Sequence, residues 1–362
     1  MTTHRRHRQA CRLPFSVAAI TLAFNAVAPA LAAEERTREF VFYYADRPVF
    51  EVGQYRLMPH GWAAGVAFKQ ALEQRTRGRI RVRLYHSGSL GSHKDAVDQV
   101  VMGVIQGFSA ADGHFSEYFP PLQVINLPYA FRDPSVAWQV LDGPFGRDLV
   151  EAAVERTGVR ILALWDNGGL RHLMNDAREI RTPADARGLK FRSLPIRLHQ
   201  RMFESWGASA TAVPWVELYS ALQTGVVDGM DSPPDNFLNA RLHEVQSHIT
   251  LTGHLYSAAV LLVNEAWIRA LPEELQAAVF DAGQVAAVAG RGAARVQQQI
   301  ALEDLTANRG MRLYEPTPEE LARFETLARE PTRQWLATQI DPLWIDKLQR
   351  AVREAELSLG YR

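Results

Sequence analysis

Two arginines hold the chemistry that this sequence makes easiest to read. Arg192 lies in the run Gly188-Leu189-Lys190-Phe191-Arg192-Ser193-Leu194-Pro195. On a strand, successive side chains alternate faces, so Leu189, Phe191 and Ser193 share one face while Lys190, Arg192 and Leu194 share the other. Lys190 and Arg192 then point together, toward solvent or toward a cleft. Arg171 follows Asn167-Gly168-Gly169, which has the composition of a turn or a crossing point. A guanidinium is a planar fork of donors and grips a carboxylate bidentately, as an ammonium cannot. Two arginines near strand ends therefore suit the recognition of an organic acid. Residue types alone leave the alternative open, two solvated arginines on an arginine-rich chain.

Other constellations carry less. His243 and His248 flank Glu244, but they are five residues apart, and a zinc-protease helix needs four to bring both imidazoles to one face. The segment reads as a solvated helix end. There is no Gly-x-Ser-x-Gly elbow and no glycine-rich phosphate loop, so neither a serine hydrolase nor a nucleotide enzyme is supported. His60, His86, His114 and His254 fall in predicted loops, where histidines mostly meet water. No cofactor and no metal site are expected.

Those residues must be placed by a folded body, and composition supports one. Apolar residues are 47% and charged residues 22%, as in globular proteins, so wholesale disorder is excluded. A length of 362 residues suits two domains. Residues 1–12 hold Arg5, Arg6, Arg8 and Arg12; residues 13–33 are apolar and end in Ala30-Leu31-Ala32. That is the pattern of a secretory signal peptide over residues 1–32; a membrane anchor is the alternative. Cys11, the one cysteine, would leave with it, which removes disulfides and thiolate chemistry from the mature chain. The remainder carries 36 basic and 40 acidic residues, about −4, which argues against nucleic acid or an anionic membrane as partner.

The pattern along the chain is α/β. Strands are expected at 40–44, 79–85, 105–111, 124–127, 159–165, 170–175, 189–194 and 257–264. Helices are expected at 60–77, 95–104, 134–141, 145–156, 197–206, 217–224, 265–270, 272–308, 317–329 and 331–357. Gly290 and Gly292 suggest a bend in the long helix. No internal repeat and no Gly/Ser linker occurs, so the two domains should cross over more than once.

At this point an ordered series of motifs resembles the periplasmic solute-binding subunit of TRAP transporters, the tripartite ATP-independent periplasmic uptake systems, of the dicarboxylate-binding-protein type. Arg79-Ile80-Arg81-Val82 with Gly88-Ser89-Leu90-Gly91 is similar to the family's early strand and turn. Asn126-Leu127-Pro128-Tyr129-Ala130-Phe131-Arg132-Asp133 resembles its Leu-Pro-Phe-x-Phe-Arg-Asp segment. Trp165-Asp166-Asn167-Gly168-Gly169-Leu170-Arg171 and Gly188-Leu189-Lys190-Phe191-Arg192 resemble the opening of the second domain and the ligand-arginine strand. The most specific match is Glu217-Leu218-Tyr219-Ser220-Ala221-Leu222-Gln223-Thr224-Gly225-Val226-Val227-Asp228-Gly229, followed by Leu251-Thr252-Gly253-His254 and Val263-Asn264-Glu265-Ala266-Trp267.

The resemblance implies a two-domain clam-shell binding protein with multiple crossovers and a long domain-spanning helix. Domain I would comprise 33–168 and 257–296, and domain II 169–256 and 297–362. It implies a monomer that binds a small organic acid and delivers it to the TRAP membrane subunits, not an enzyme. A sensory partner of a membrane receptor is the alternative. Arg192 maps to the carboxylate-binding arginine and Arg171 to a second, contributing one. Many members carry Gln-Glu-Asn-Pro after Asp-Gly, with the asparagine on the ligand. Here Met230-Asp231-Ser232-Pro233 stands there, so Asp231 and Ser232 are site candidates, Ser232 at the asparagine position. Tyr44, Asp112 and His114 are nominated from domain I, since each follows an expected strand. The link at residues 47–59 is longer than is usual in the family. Hinge motion is expected near Asn167–Leu170 and Thr252–Ser257, with an open unliganded state.

Overall fold

A computed structural model describes residues 37–361. The leader-like segment 1–32, with Cys11, lies outside the described residues. Among the described residues no helix is long and apolar enough to cross a membrane.

Among the described residues eleven strands occur: β1 (Arg38–Tyr44), β2 (Phe50–Val52), β3 (Tyr55–Leu57), β4 (Ile80–His86), β5 (Gly107–Ala111), β6 (Val159–Asn175), β7 (Lys190–Ser193), β8 (Ser209–Ala212), β9 (Gly229–Ser232), β10 (His248–Asn264) and β11 (Arg312–Tyr314). Nine of them form one sheet in the order β4-β1-β5-β10-β6-β9-β7-β8, with β11 beside β10; β2 and β3 make a separate hairpin. β1 is parallel to β4 and β5, and β7 is parallel to β8 and β9. Parallel strands need crossover connections, which the intervening helices supply. The alternation read in β4 holds: Ile80 and Val82 are buried while Arg81 and Arg83 are exposed.

Strands β6 and β10, 17 residues each, are shared by both halves of this sheet. Val159 to Asp166 pairs with Ala258 to Asn264 in the first half, and Gly169 to Asn175 with His248 to Ser257 in the second. The chain does not turn at Asn167-Gly168-Gly169 as a loop would. It runs straight through, with Gly168 and Gly169 at φ of +87° and +91° and a register shift opposite, between Ser257 and Ala258. Left-handed backbone favours glycine, and a Cβ at Gly168 would meet Asp235 at 2.2 Å. The crossing expected here is real, and the break is not.

Separate apolar cores fill the halves. Phe40, Phe42, Phe68 and Trp165 anchor one, and Phe108, Phe115 and Phe145 another, in the first half. Met174, Met230 and Phe237 anchor one, and Phe191, Phe203 and Phe324 another, in the second. The helix Glu273–Ala307 spans both, burying Leu275 through Ala287 in the first half and Ala301 and Leu305 in the second. It is continuous through Gly290 and Gly292. Gly290 serves close packing, since a Cβ there would strike Trp165 at 2.5 Å.

Four expectations change. Residues 124–127 belong to a 3-10 helix, Pro120–Asn126, because a short buried apolar run has no period that separates strand from helix. The helix expected to stop at 329 continues through Pro331 to Ala337, and the chain breaks at Asp341-Pro342 instead. The last helix, Leu343–Ser358, assigned above to domain II, packs on the first-half helices Pro134–Asp142 and Pro144–Thr157. The long link at 47–59 forms the β2–β3 hairpin. It leaves the first half, yet buries Phe50 and Val52 in the second-half core with Phe237, Leu305 and Met311.

Candidate functional site

In open α/β sheets, ligands bind outside the carboxyl ends of parallel strands, where crossovers diverge and leave a crevice. Both halves aim such ends at one small cavity, of about 40 Å³. Asp46 enters it just past β1, Ala111 and His114 at the end of β5, Arg192 and Leu194 at the end of β7, Trp215 past β8 and Ser232 at the end of β9. Beyond His93, His114, Arg192 and Trp215 it opens into a recess of about 410 Å³.

Arg192 is 1% exposed. Its Nε donates to the Val213 carbonyl at 3.0 Å, and its guanidinium lies 5.6 Å from the centre of the Trp215 ring. It forms no ion pair with any described residue. Burial, with the nearby charge of Arg171, lowers its pKa to about 10, and the charge of Asp231, itself paired with Arg171, offsets only part of that. Its strand neighbour Lys190, on the same face, is exposed and donates to the Gly225 carbonyl. The predicted face thus runs from solvent at Lys190 into the cavity at Arg192.

Arg171 also lines the cavity but is already partnered. Its Nε donates to Asp231 Oδ2 at 2.5 Å, one Nη to the Asp231 carbonyl and the other to Ser257 Oγ at 3.2 Å. His254 Nε2 lies 3.3 Å from the same Asp231 oxygen and its Nδ1 2.7 Å from Thr252 Oγ1. Burial alone would raise the Asp231 carboxyl, but Arg171 and His254 hold it well below the usual range.

Of the other nominated residues, Ser232 and His114 line the cavity. Ser232 Oγ accepts from Asn236 Nδ2 at 3.3 Å, so Asn236, one helical turn on, brings an amide to the wall. The His114 ring stacks on His93 at 4.2 Å, and burial pushes both pKa values down, that of His114 well below the ordinary value. Tyr44, Asp112 and Asp231 do not line it; Asp231 holds Arg171, which does. Tyr44 lies two residues before Asp46 and favours its charged form. Asp112 accepts from Asn126, whose Oδ1 contacts His199 Nε2 of the second half at 3.0 Å, and burial raises the Asp112 carboxyl to about 6. His243 sits in a single 3-10 turn and His248 opens β10, so they share no helix face.

Sequence reasoning missed Asp46, His93, Trp215 and Asn236. Asp46 had a signal, its place directly after a parallel strand, the same rule that nominated His114. Trp215 and Asn236 had none beyond polar or aromatic character near a strand end.

Two lobes joined by shared strands, with a charged crevice between them, define the clam-shell solute receptors. The sequence profile of the bacterial extracellular solute-binding proteins, family 7, matches residues 56–339, and the chain belongs to that family. A solute-binding protein of Verminephrobacter eiseniae is 34% identical over 242 residues, 67% of this chain and 71% of that one. The 2,3-diketo-L-gulonate-binding periplasmic protein YiaO of Escherichia coli is 31% identical over 62% of this chain and 67% of its own. A TRAP periplasmic solute-binding protein from Roseobacter denitrificans with bound β-D-glucuronate superimposes with a TM-score of 0.77, at 26% identity over 86% of this chain and 99% of that one. The chain resembles binding proteins, not enzymes.

Proposed function

We propose that this chain, exported to the periplasm by residues 1–32, captures a small organic acid between its lobes and delivers it to TRAP membrane subunits. One observation carries the reading. Arg192 holds a buried guanidinium with no carboxylate ion-paired to it, at the closing surface of two lobes. An isolated buried charge is costly unless something pairs with it. A ligand carboxylate, gripped bidentately in a site that closure dries, supplies that partner. Arg171 supports it from a fixed position, and Ser232, Asn236 and His114 shape the remaining wall. The hinge lies where β6 and β10 cross, and closure commits the ligand and marks the form the membrane subunits recognise.

The test is calorimetry of the exported chain against small organic acids, with Arg192→Ala as control. The wild type binds at least one acid, and at 100 times its dissociation constant gains about 2.7 kcal/mol of stability. An unchanged dissociation constant in the variant would overturn the assignment. Uptake by the membrane subunits, with and without this chain, tests delivery.

A further inference from the structure

Resting on that reading, we infer that Asp46 makes the cleft selective for a monocarboxylate whose chain carries hydroxyl groups, and turns dicarboxylates away. The charges facing the cavity decide this. Among the described residues lining it, Asp46 is the one carboxylate and Arg192 the one cation without a carboxylate partner. Arg171 is held by Asp231. His93 lines the same wall and feels the charges of both Asp46 and Arg192, and burial pushes it and His114 below the ordinary imidazole value, toward the neutral form. The cavity thus offers one cationic end and one anionic end, with uncharged rings, amides and a hydroxyl between.

Asp46 is built into its place. It shares the wall with Trp215 of the other lobe, and although burial raises its carboxyl above the ordinary value, His93, Trp215 and Tyr44 favour its charged form. A carboxylate so held accepts further hydrogen bonds from donors, and a ligand hydroxyl is a donor. A second ligand carboxylate has none to give and meets a like charge. The adjoining recess gives it no escape, because Lys94 there is paired with Asp98 at 3.0 Å. Discrimination of this kind works by placing an unfavourable group against the wrong ligand.

Matched pairs test the inference: erythronate against tartrate and galactonate against galactarate, each differing by one terminal carboxylate, with glycerate against serine as a third. Calorimetry on the exported chain should show the monoacid bound at least about tenfold tighter than its diacid. Asp46→Asn keeps the shape and removes the charge, and should reduce that ratio to about threefold or less by strengthening the diacid. A preference for the diacid in any bound pair, no binding of any monoacid, or an unaltered ratio in Asp46→Asn overturns the inference. Tighter binding of serine than glycerate would give Asp46 an ammonium as partner and overturns it too. Arg192→Ala, run alongside, separates the two readings: monoacid binding unaffected by that change defeats the organic-acid site itself, whatever Asp46 does. Matching thermal midpoints of wild type and Asp46→Asn confirm that the fold survives.

Discussion

Arg171 and Asp231 form a closed unit on neighbouring strands, the guanidinium taking both a side-chain oxygen and the carbonyl of the same aspartate, with both residues at most 2% exposed. Twenty-one residues on, Arg192 is as deeply buried and has no such partner. The same residue type is therefore structural at one position and unspent at the other.

Truncating the paired arginine should cost stability. Arg171→Ala leaves Asp231 as a buried charge with only His254 beside it, and breaking a buried pair from one side costs roughly 3–5 kcal/mol. Urea unfolding of the unliganded protein should show that loss, with any weakening of acid binding coming in addition. A midpoint within error of wild type would mean that the pair is not formed.

The unpaired arginine should behave in the opposite way. Arg192→Met removes a buried charge that has no ion-pair partner while keeping the volume of the stem, so the unliganded protein should be no less stable than wild type. Binding should weaken by roughly 2–5 kcal/mol, the usual range for losing a buried charge partner. A large drop in unliganded stability would show that Arg192 supports the fold.

Ser232→Asn should change which acid is preferred rather than abolish binding. The hydroxyl holds Asn236 Nδ2, and an amide in its place must displace that side chain into the cavity. Competition binding across a set of acids checks it; an identical rank order in the variant counts against a lining role.

Gly113 faces Ile196 and Leu194 across the lobes, and a Cβ there would come within 2.4 Å of the isoleucine. Gly113→Val should hinder closure. Affinity should fall about tenfold, roughly 1.4 kcal/mol, while small-angle scattering should show the ligand-saturated variant less compact than wild type. Equal radii would mean that Ile196 simply moves aside.

Asp235 gives the protein a pH signature. It is buried beside His60 and below Gly168, and burial raises its carboxyl to about 7. A folded pKa above the unfolded value means that the folded state holds the proton longer. The stability from this group is therefore present below about pH 4 and lost as pH rises toward 7. Asp235→Asn should stabilise the protein at pH 8, by up to about 4 kcal/mol, and have little effect at pH 4. Denaturation at both pH values decides it, and an equal effect at both would place the proton elsewhere.

Much of this was legible in the residues. The period-two run around Arg192 located the strand and its face, and Thr317 with Pro318 marked a helix start, which the structure closes with Glu320 as a capping box. What was not legible depends on contacts distant in sequence. Nothing near Arg171 announces that Asp231, sixty residues on, will take its charge. Asp46 matters because Trp215 arrives from the other lobe. The helices expected at 317–329 and 331–357 divide just before Pro331, but tertiary packing of Phe324, Ala328 and Leu336 on two cores carries one helix past it.

The two long shared strands also govern how the molecule comes apart. Each lobe's sheet is completed by its own stretch of β6 and β10, strands that run on without a break into the other lobe, and the hairpin and last helix each cross to the opposite side. Neither lobe could be excised as a self-sufficient fragment without leaving raw strand edges and an unfilled core. Joined in this way, the lobes make one cooperative unit in unfolding. Calorimetry of the unliganded chain should therefore register a single transition.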